Sequence, residues 1–69
     1  MEQAELRPTM ERIYAALVER GYRPIDQLVG YILSGDPTYV TNHNGARQMI
    51  AEIDPYELLR VVLGDYFAV

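Results

Sequence analysis

The sequence predicts an all-α fold, a compact small domain of four to five short helices that is homodimeric. Three observations predict it. Apolar residues recur at i, i+3, i+4 and i+7 over successive segments, glycine and proline punctuate the gaps between them, and nothing alternates at period two for long enough to make a sheet. With 69 residues the chain is one domain, and a domain so small buries only ~60% of the surface that its unfolded chain exposes. Its core therefore wants a supplement. The absence of cysteine removes disulfides and thiolate metal sites, and a single histidine cannot complete the usual zinc ligand sets. Oligomerisation is the common supplement that remains.

Residues 1–8 read as a flexible N-terminal segment and residues 9–69 as the helical domain. From Thr9, a candidate N-cap, the residues Met10, Ile13, Tyr14, Leu17 and Val18 line one helical face, while Glu11, Arg12, Glu19 and Arg20 face away. Gly21 suits the left-handed position that ends this helix. Pro24 suits the first turn of a second helix, in which Ile25, Leu28, Val29, Ile32 and Leu33 repeat the spacing up to Gly35. Asp36-Pro37 and Asp54-Pro55 are both cap-then-proline starts, and Glu57, three residues after Asp54, completes a capping-box pattern. Between them, after a turn around Asn42-His43-Asn44-Gly45, the residues Ala46, Met49, Ile50 and Ile53 form another apolar face.

The last helix, Pro55 to about Tyr66, carries Leu58, Leu59, Val61, Val62, Leu63 and Tyr66 in several directions around its axis. One small core cannot take them all. Leu58, Leu59, Val62, Leu63 and Tyr66 are therefore the expected dimer interface, with the same patch meeting itself across a two-fold axis.

The formal net charge is −4, and all six basic residues are arginines scattered among carboxylates. A nucleic-acid-binding face normally shows a basic stripe, so a small nucleic-acid or ribonucleoprotein accessory factor is the weaker of the two functional readings. No apolar run approaches the ~20 residues that span a bilayer, and the polar, acidic Met1 to Pro8 is unlike a signal or transit peptide. The reading is a soluble cytoplasmic protein without a membrane partner.

The segment Ser34 to Arg47, SGDPTYVTNHNGAR, concentrates the residues that chemistry would use. Gly35 reads as a helix C-cap and Asp36 as the cap of the next turn. Asp36 and His43 are the one candidate acid/base pair, but no nucleophile with a partnered base stands near them in sequence, and Ser34 sits at a helix end. No catalytic, cofactor-binding or metal residue is assigned, and no cofactor is implied. Arg47, in the first turn of the helix after the loop, either pairs with Asp36 or a neighbouring carboxylate to pin the corner, or helps to bind an anion. Gly30, in mid-helix, costs about 1 kcal/mol relative to alanine and implies close approach of another backbone. Tyr31 and Tyr39 are read either as boundary packing or as exposed partner-binding anchors.

The longer stretch Gly21 to Arg47, GYRPIDQLVGYILSGDPTYVTNHNGAR, resembles the signature of the IreB family of small regulatory phosphoproteins of Gram-positive bacteria. The family pattern runs Gly-Tyr-x-Pro-Ile-x-Gln, an aliphatic-Val-Gly-Tyr run, Leu-Ser-Gly-Asp-Pro-x-Tyr and His-x-x-Ala-Arg. Here it is filled by Tyr22, Gln27, Gly30, Tyr31, Ser34, Gly35, Asp36, Pro37, Tyr39, His43 and Arg47, among others, and the likeness extends over about residues 12–63. It implies a helical homodimer that is not an enzyme and acts as substrate and effector of a membrane-anchored, cell-wall-sensing Ser/Thr kinase. It also implies a role in restraining the envelope-stress response and cephalosporin resistance, with a kinase or an envelope-stress protein as partner. The family's phosphothreonines lie upstream of the first helix, whereas Met1 to Pro8 has no Ser, Thr or Tyr. No phosphosite is carried over.

Overall fold

The computed structural model describes residues 3–21 and 23–69. Helix α1 spans Gln3–Arg20, α2 Pro24–Ser34, α3 Ala46–Ala51 and α4 Pro55–Phe67, with two short 3-10 turns, Pro37–Tyr39 and His43–Gly45, joining α2 to α3. The described residues contain no strand. α1 packs against α3 and the second turn, and α2 packs against α4 and the first turn. The all-α expectation holds. The Asp36-Pro37 start opens only a 3-10 turn, so the helix expected there is a single tight turn.

Helix ends follow the cap chemistry of the sequence in most places. Gly35 takes φ 71° and its N–H bonds the Tyr31 carbonyl at 2.7 Å, closing α2 with a left-handed residue that glycine adopts without steric cost. Pro24 and Pro55 occupy the first turns of α2 and α4. The Asp54 carboxylate accepts from the Tyr56 N–H at 3.3 Å, so the cap of α4 is made on the second helical residue.

The start of α1 differs from the sequence reading. The helix begins at Gln3, runs through Pro8 and places Thr9 inside, where its hydroxyl donates to the Glu5 carbonyl at 2.8 Å. Thr9 is thus no cap, and residues 3–8, read as a flexible lead-in, are helical. Two contacts offset the backbone bond that proline removes. Leu6 is buried in the core, and the Arg7 guanidinium pairs with Asp65 near the end of α4. Met1, Glu2 and Tyr22 lie outside the described residues.

The core is built from Leu6, Ile13, Ala16 and Leu17 of α1, Tyr31 of α2, Val40 of the connection, Ala46, Ile50 and Ile53 of the α3 region, and Leu58 of α4. In α1 the buried stripe is centred on Ile13, Ala16 and Leu17, which leaves Tyr14 and Val18 at the rim. In α2 the buried side is that of Tyr31, flanked by Leu28 and Ile32, whereas Ile25, Val29 and Leu33 are exposed, Leu33 by 82%. A helix with apolar residues over more than half its circumference leaves its orientation open to periodicity alone. The phenol of Tyr31 settles it, because its hydroxyl donates to the Ile53 carbonyl and locks α2 over the α3–α4 junction. Burial, and next the charge of Asp54, push the Tyr31 hydroxyl pKa above the usual tyrosine range.

Tyr31→Phe keeps the ring and strands the Ile53 carbonyl. Denaturant unfolding is expected to show a loss of about 1–3 kcal/mol, the cost of leaving a buried acceptor unpaired; an unchanged midpoint would mean that the hydroxyl does not orient α2.

Candidate functional site

The residues that the sequence singles out converge on the connection between α2 and α3. This chain segment carries its own buried side chain, Val40, and must satisfy its backbone without a regular helix. It does so at one peptide group. The Val40 carbonyl accepts from Arg47 Nε of α3 at 2.9 Å, and the N–H on the other end of that same group, on Thr41, donates to Gln27 Oε1 of α2 at 2.8 Å. Two half-buried side chains from two helices therefore hold one peptide unit at both its poles.

The turn before it is held by short polar side chains. Ser34 donates its hydroxyl to the Gly30 carbonyl at 2.7 Å and accepts from the Asp36 N–H at 3.0 Å, carrying the end of α2 into the first 3-10 turn. Asp36 Oδ1 then accepts twice from Thr38, from its N–H at 3.0 Å and from its hydroxyl at 2.8 Å. The Asp36 carboxyl is held below the usual carboxylate range, first by the Thr38 N–H, then by the Thr38 hydroxyl, and to a smaller degree by the Arg47 charge. Pro37 fills the first position of the turn.

Gly30 faces the turn and explains its composition. A methyl group at Gly30 would lie 2.7 Å from Cδ1 of Tyr39, closer than such carbon atoms approach, and a tight 3.1 Å from its Cγ. The close neighbour is thus an aromatic ring of the same chain and not the backbone that the sequence suggests. Tyr39, seated there, keeps more than half its surface in water, whereas Tyr31 is buried and is no exposed anchor.

The second 3-10 turn is tied to α1. Glu19 receives both His43 Nε2 on one oxygen and Asn44 Nδ2 on the other, each at 3.3 Å. Asn44 and Gly45 both take positive φ, 52° and 75°, which reverses the chain before α3 and brings Arg47 back over Val40. Asn42-His43-Asn44-Gly45 supplies the residue types such a reversal favours. Sequence reasoning missed the Glu19 partner, because nothing local links positions 24 residues apart. It also passed over Thr38, although an acceptor at Asp36 followed two residues later by a hydroxyl is a legible side-chain turn.

Chemically the corner is a closed network of structural bonds. Ser34 and Thr38 donate to a backbone carbonyl and to a carboxylate, while His43 faces Glu19, so the structure does not bring Asp36 and His43 together as an acid/base pair. Among the described residues no buried side-chain nitrogen or oxygen lacks a partner, and no group of three or more His, Asp or Glu side chains is placed to hold a metal. Arg47 pins the corner, through a carbonyl instead of the expected carboxylate. An open groove of about 670 Å³ lies elsewhere, along α4, between Glu57, Arg60, Leu63 and Phe67.

Two measurements probe the corner. Gln27→Ala and Arg47→Ala are each expected to lower unfolding stability by about 1–2 kcal/mol, and the double variant by less than the sum, because both act on one peptide group; strict additivity would show that the two clamps are independent. Gly30→Ala is expected to lower the melting temperature despite alanine's better helix propensity, and less so when Tyr39 is also alanine. A higher melting temperature in the single variant would contradict the ring contact.

The family comparison covers the whole of this architecture, since residues 1–68 match the family model described as IreB regulatory phosphoprotein, from the helical turns before Thr9 to the end of α4. The four-helix fold and the corner built by the signature residues thus belong to one matched unit, and the chain is a member of the IreB regulatory phosphoprotein family.

Proposed function

We propose that this chain is a non-enzymatic signalling adaptor that works as a homodimer in the cytoplasm, downstream of a Ser/Thr kinase in envelope-stress or antibiotic-tolerance control. Membership of a family of regulatory phosphoproteins supports the regulatory part. No helix among the described residues is long and apolar enough to cross a membrane.

The observation that carries the dimer is the outer face of α4. Leu58 is only 2% exposed and is taken up by the chain's own core, so it leaves the expected interface. Leu59, Val62 and Leu63 stay about half exposed and Tyr66 80% exposed, on a helix whose other side is packed against α2. Covering the exposed part of each such side chain is worth roughly 1 kcal/mol, and a two-fold contact covers eight of them, about 8 kcal/mol in all. That offsets the lower part of the ~4–15 kcal/mol that association costs. A dimer of modest affinity is the consequence, one that a partner or a modification can shift.

Val62→Asp places a charge in the middle of this face without touching the core. The few kcal/mol left after the cost of association correspond to a dissociation constant of about 1 mM. Sedimentation equilibrium is therefore expected to show the wild-type chain forming a dimer at about millimolar concentration and the variant as a monomer that remains helical. A wild-type chain that is monomeric at that concentration would remove the dimer from the proposal.

A further inference from the structure

The sequence contains four Ser/Thr hydroxyls, at Thr9, Ser34, Thr38 and Thr41. A protein kinase must bring such an oxygen against the γ-phosphate of ATP, so the hydroxyl has to be reachable and its backbone free to leave its own hydrogen bonds. Thr9 fails both conditions, being 7% exposed inside α1 with its hydroxyl on the Glu5 carbonyl. Ser34 belongs to the last turn of α2, and its oxygen is bonded on two sides, to Gly30 and Asp36. Thr41 is half-buried and its N–H is held by Gln27. Thr38 differs from all three. Like Ser34 it is exposed, but it lies in a three-residue 3-10 turn outside the α-helices, and both its N–H and its hydroxyl point to the side chain of one exposed residue, Asp36.

We infer that Thr38 is a phosphorylation site of this chain and that its phosphate opens the corner between α2 and α3. The inference rests on the kinase reading proposed above and names the residue on which that regulation acts. In the transfer the Thr38 oxygen forms a bond to the γ-phosphorus of ATP, the bond from that phosphorus to the bridging oxygen breaks, ADP leaves, and the hydroxyl proton passes to the kinase's catalytic aspartate.

The consequence follows from charge. Before transfer, the Thr38 hydroxyl is a donor to Asp36 Oδ1 at 2.8 Å. After transfer that donor is gone, and a group carrying about −1.5 to −2 charge stands beside the carboxylate in its place. Like charges at this separation disfavour the Asp36 cap, and with it the turn that seats Tyr39 on Gly30. Arg47, the cation nearest in effect to Asp36, is already bonded through Nε to the Val40 carbonyl. Drawing its guanidinium towards the phosphate pulls on one pole of the peptide group that holds the connection. The phosphate thereby acts on the hinge of the fold without touching its core.

The test incubates the full chain with the catalytic domain of a cell-wall-sensing Ser/Thr kinase encoded by the same genome, with magnesium and ATP, and maps phosphate by fragmentation mass spectrometry. One phosphate is expected at position 38, retained in Thr38→Ser and lost in Thr38→Val, the variants being checked for helicity beforehand. Amide hydrogen exchange at Thr38 and Thr41 is expected to quicken at least tenfold in the phosphorylated chain. Phosphate on Thr9, Ser34 or Thr41, undiminished incorporation in Thr38→Val, or exchange unchanged by phosphate at position 38 would overturn the inference while leaving the kinase reading intact. A chain that the kinase domain binds without modifying has the same meaning. A chain neither bound nor modified would overturn the inference and the kinase reading together.

Discussion

The peptide group between Val40 and Thr41 is the constraint on which the rest of the fold depends. Its carbonyl is bonded by Arg47 of α3 and its N–H by Gln27 of α2, while the Val40 side chain is fully buried between them. A connection of eleven residues between helices, built from tight turns, would ordinarily run over the surface with its backbone in water. Here it is drawn inward to contribute to the core, and that is admissible because both poles of the peptide are satisfied by side chains. Every neighbouring feature serves the same placement. Asp36 and Ser34 set the direction of the chain as it leaves α2, and the left-handed Asn44 and Gly45 turn it back so that Arg47 can reach.

Tyr31 does for the far side of α2 what the clamped peptide does for the near side. Its hydroxyl reaches the Ile53 carbonyl at the α3–α4 junction, so one hydrogen bond and a buried ring fix the rotation of α2 about its axis together with Leu28 and Ile32, which pack on the core beside it. This explains why Ile25, Val29 and Leu33 remain outside although they are as apolar as the residues within. The price of orienting a helix with a polar contact is an aliphatic stripe left in water. Gly30, one residue before Tyr31, completes the arrangement by letting the Tyr39 ring rest on the helix where any side chain would hold it off.

Most of the architecture was legible in the sequence because it depends on local chemistry. The glycine at the end of α2, the prolines at the starts of α2 and α4 and the aspartates before Pro37 and Pro55 are rules about a few adjacent backbone groups, and the structure follows them. What was not legible depends on partners distant in the chain. The helical residues before Thr9 are fastened by Leu6 in the core and by Arg7 on Asp65, 58 positions away. Local reading saw only Pro8 followed by a good cap. The buried side of α2 was misjudged for the same reason, since Ile53 lies outside any window that a periodicity argument scans. At the corner the residues were found but their employment was not, because a side chain's choice between a carboxylate and a backbone carbonyl is made by geometry.

The distribution of apolar surface follows from the same architecture. The radius of gyration is 11.3 Å, close to the roughly 11 Å of a well-packed chain of this length, so the exposed stripes on α2 and α4 do not come from a loosened fold. They are the surplus of a composition that is 49% apolar in a chain too short to enclose it. A larger domain would absorb that surplus in its core, whereas here most of it sits on two helices that pack against each other, α2 and α4, with Tyr14, Val18 and Tyr39 adding to it elsewhere. The α2–α3 corner sets the position of α2, and α2 in turn bears on α4. The corner and the exposed face of α4 are thus joined through a single helix. The clamped connection on one side of α2 and the exposed apolar face of α4 on the other therefore both depend on where that one helix lies.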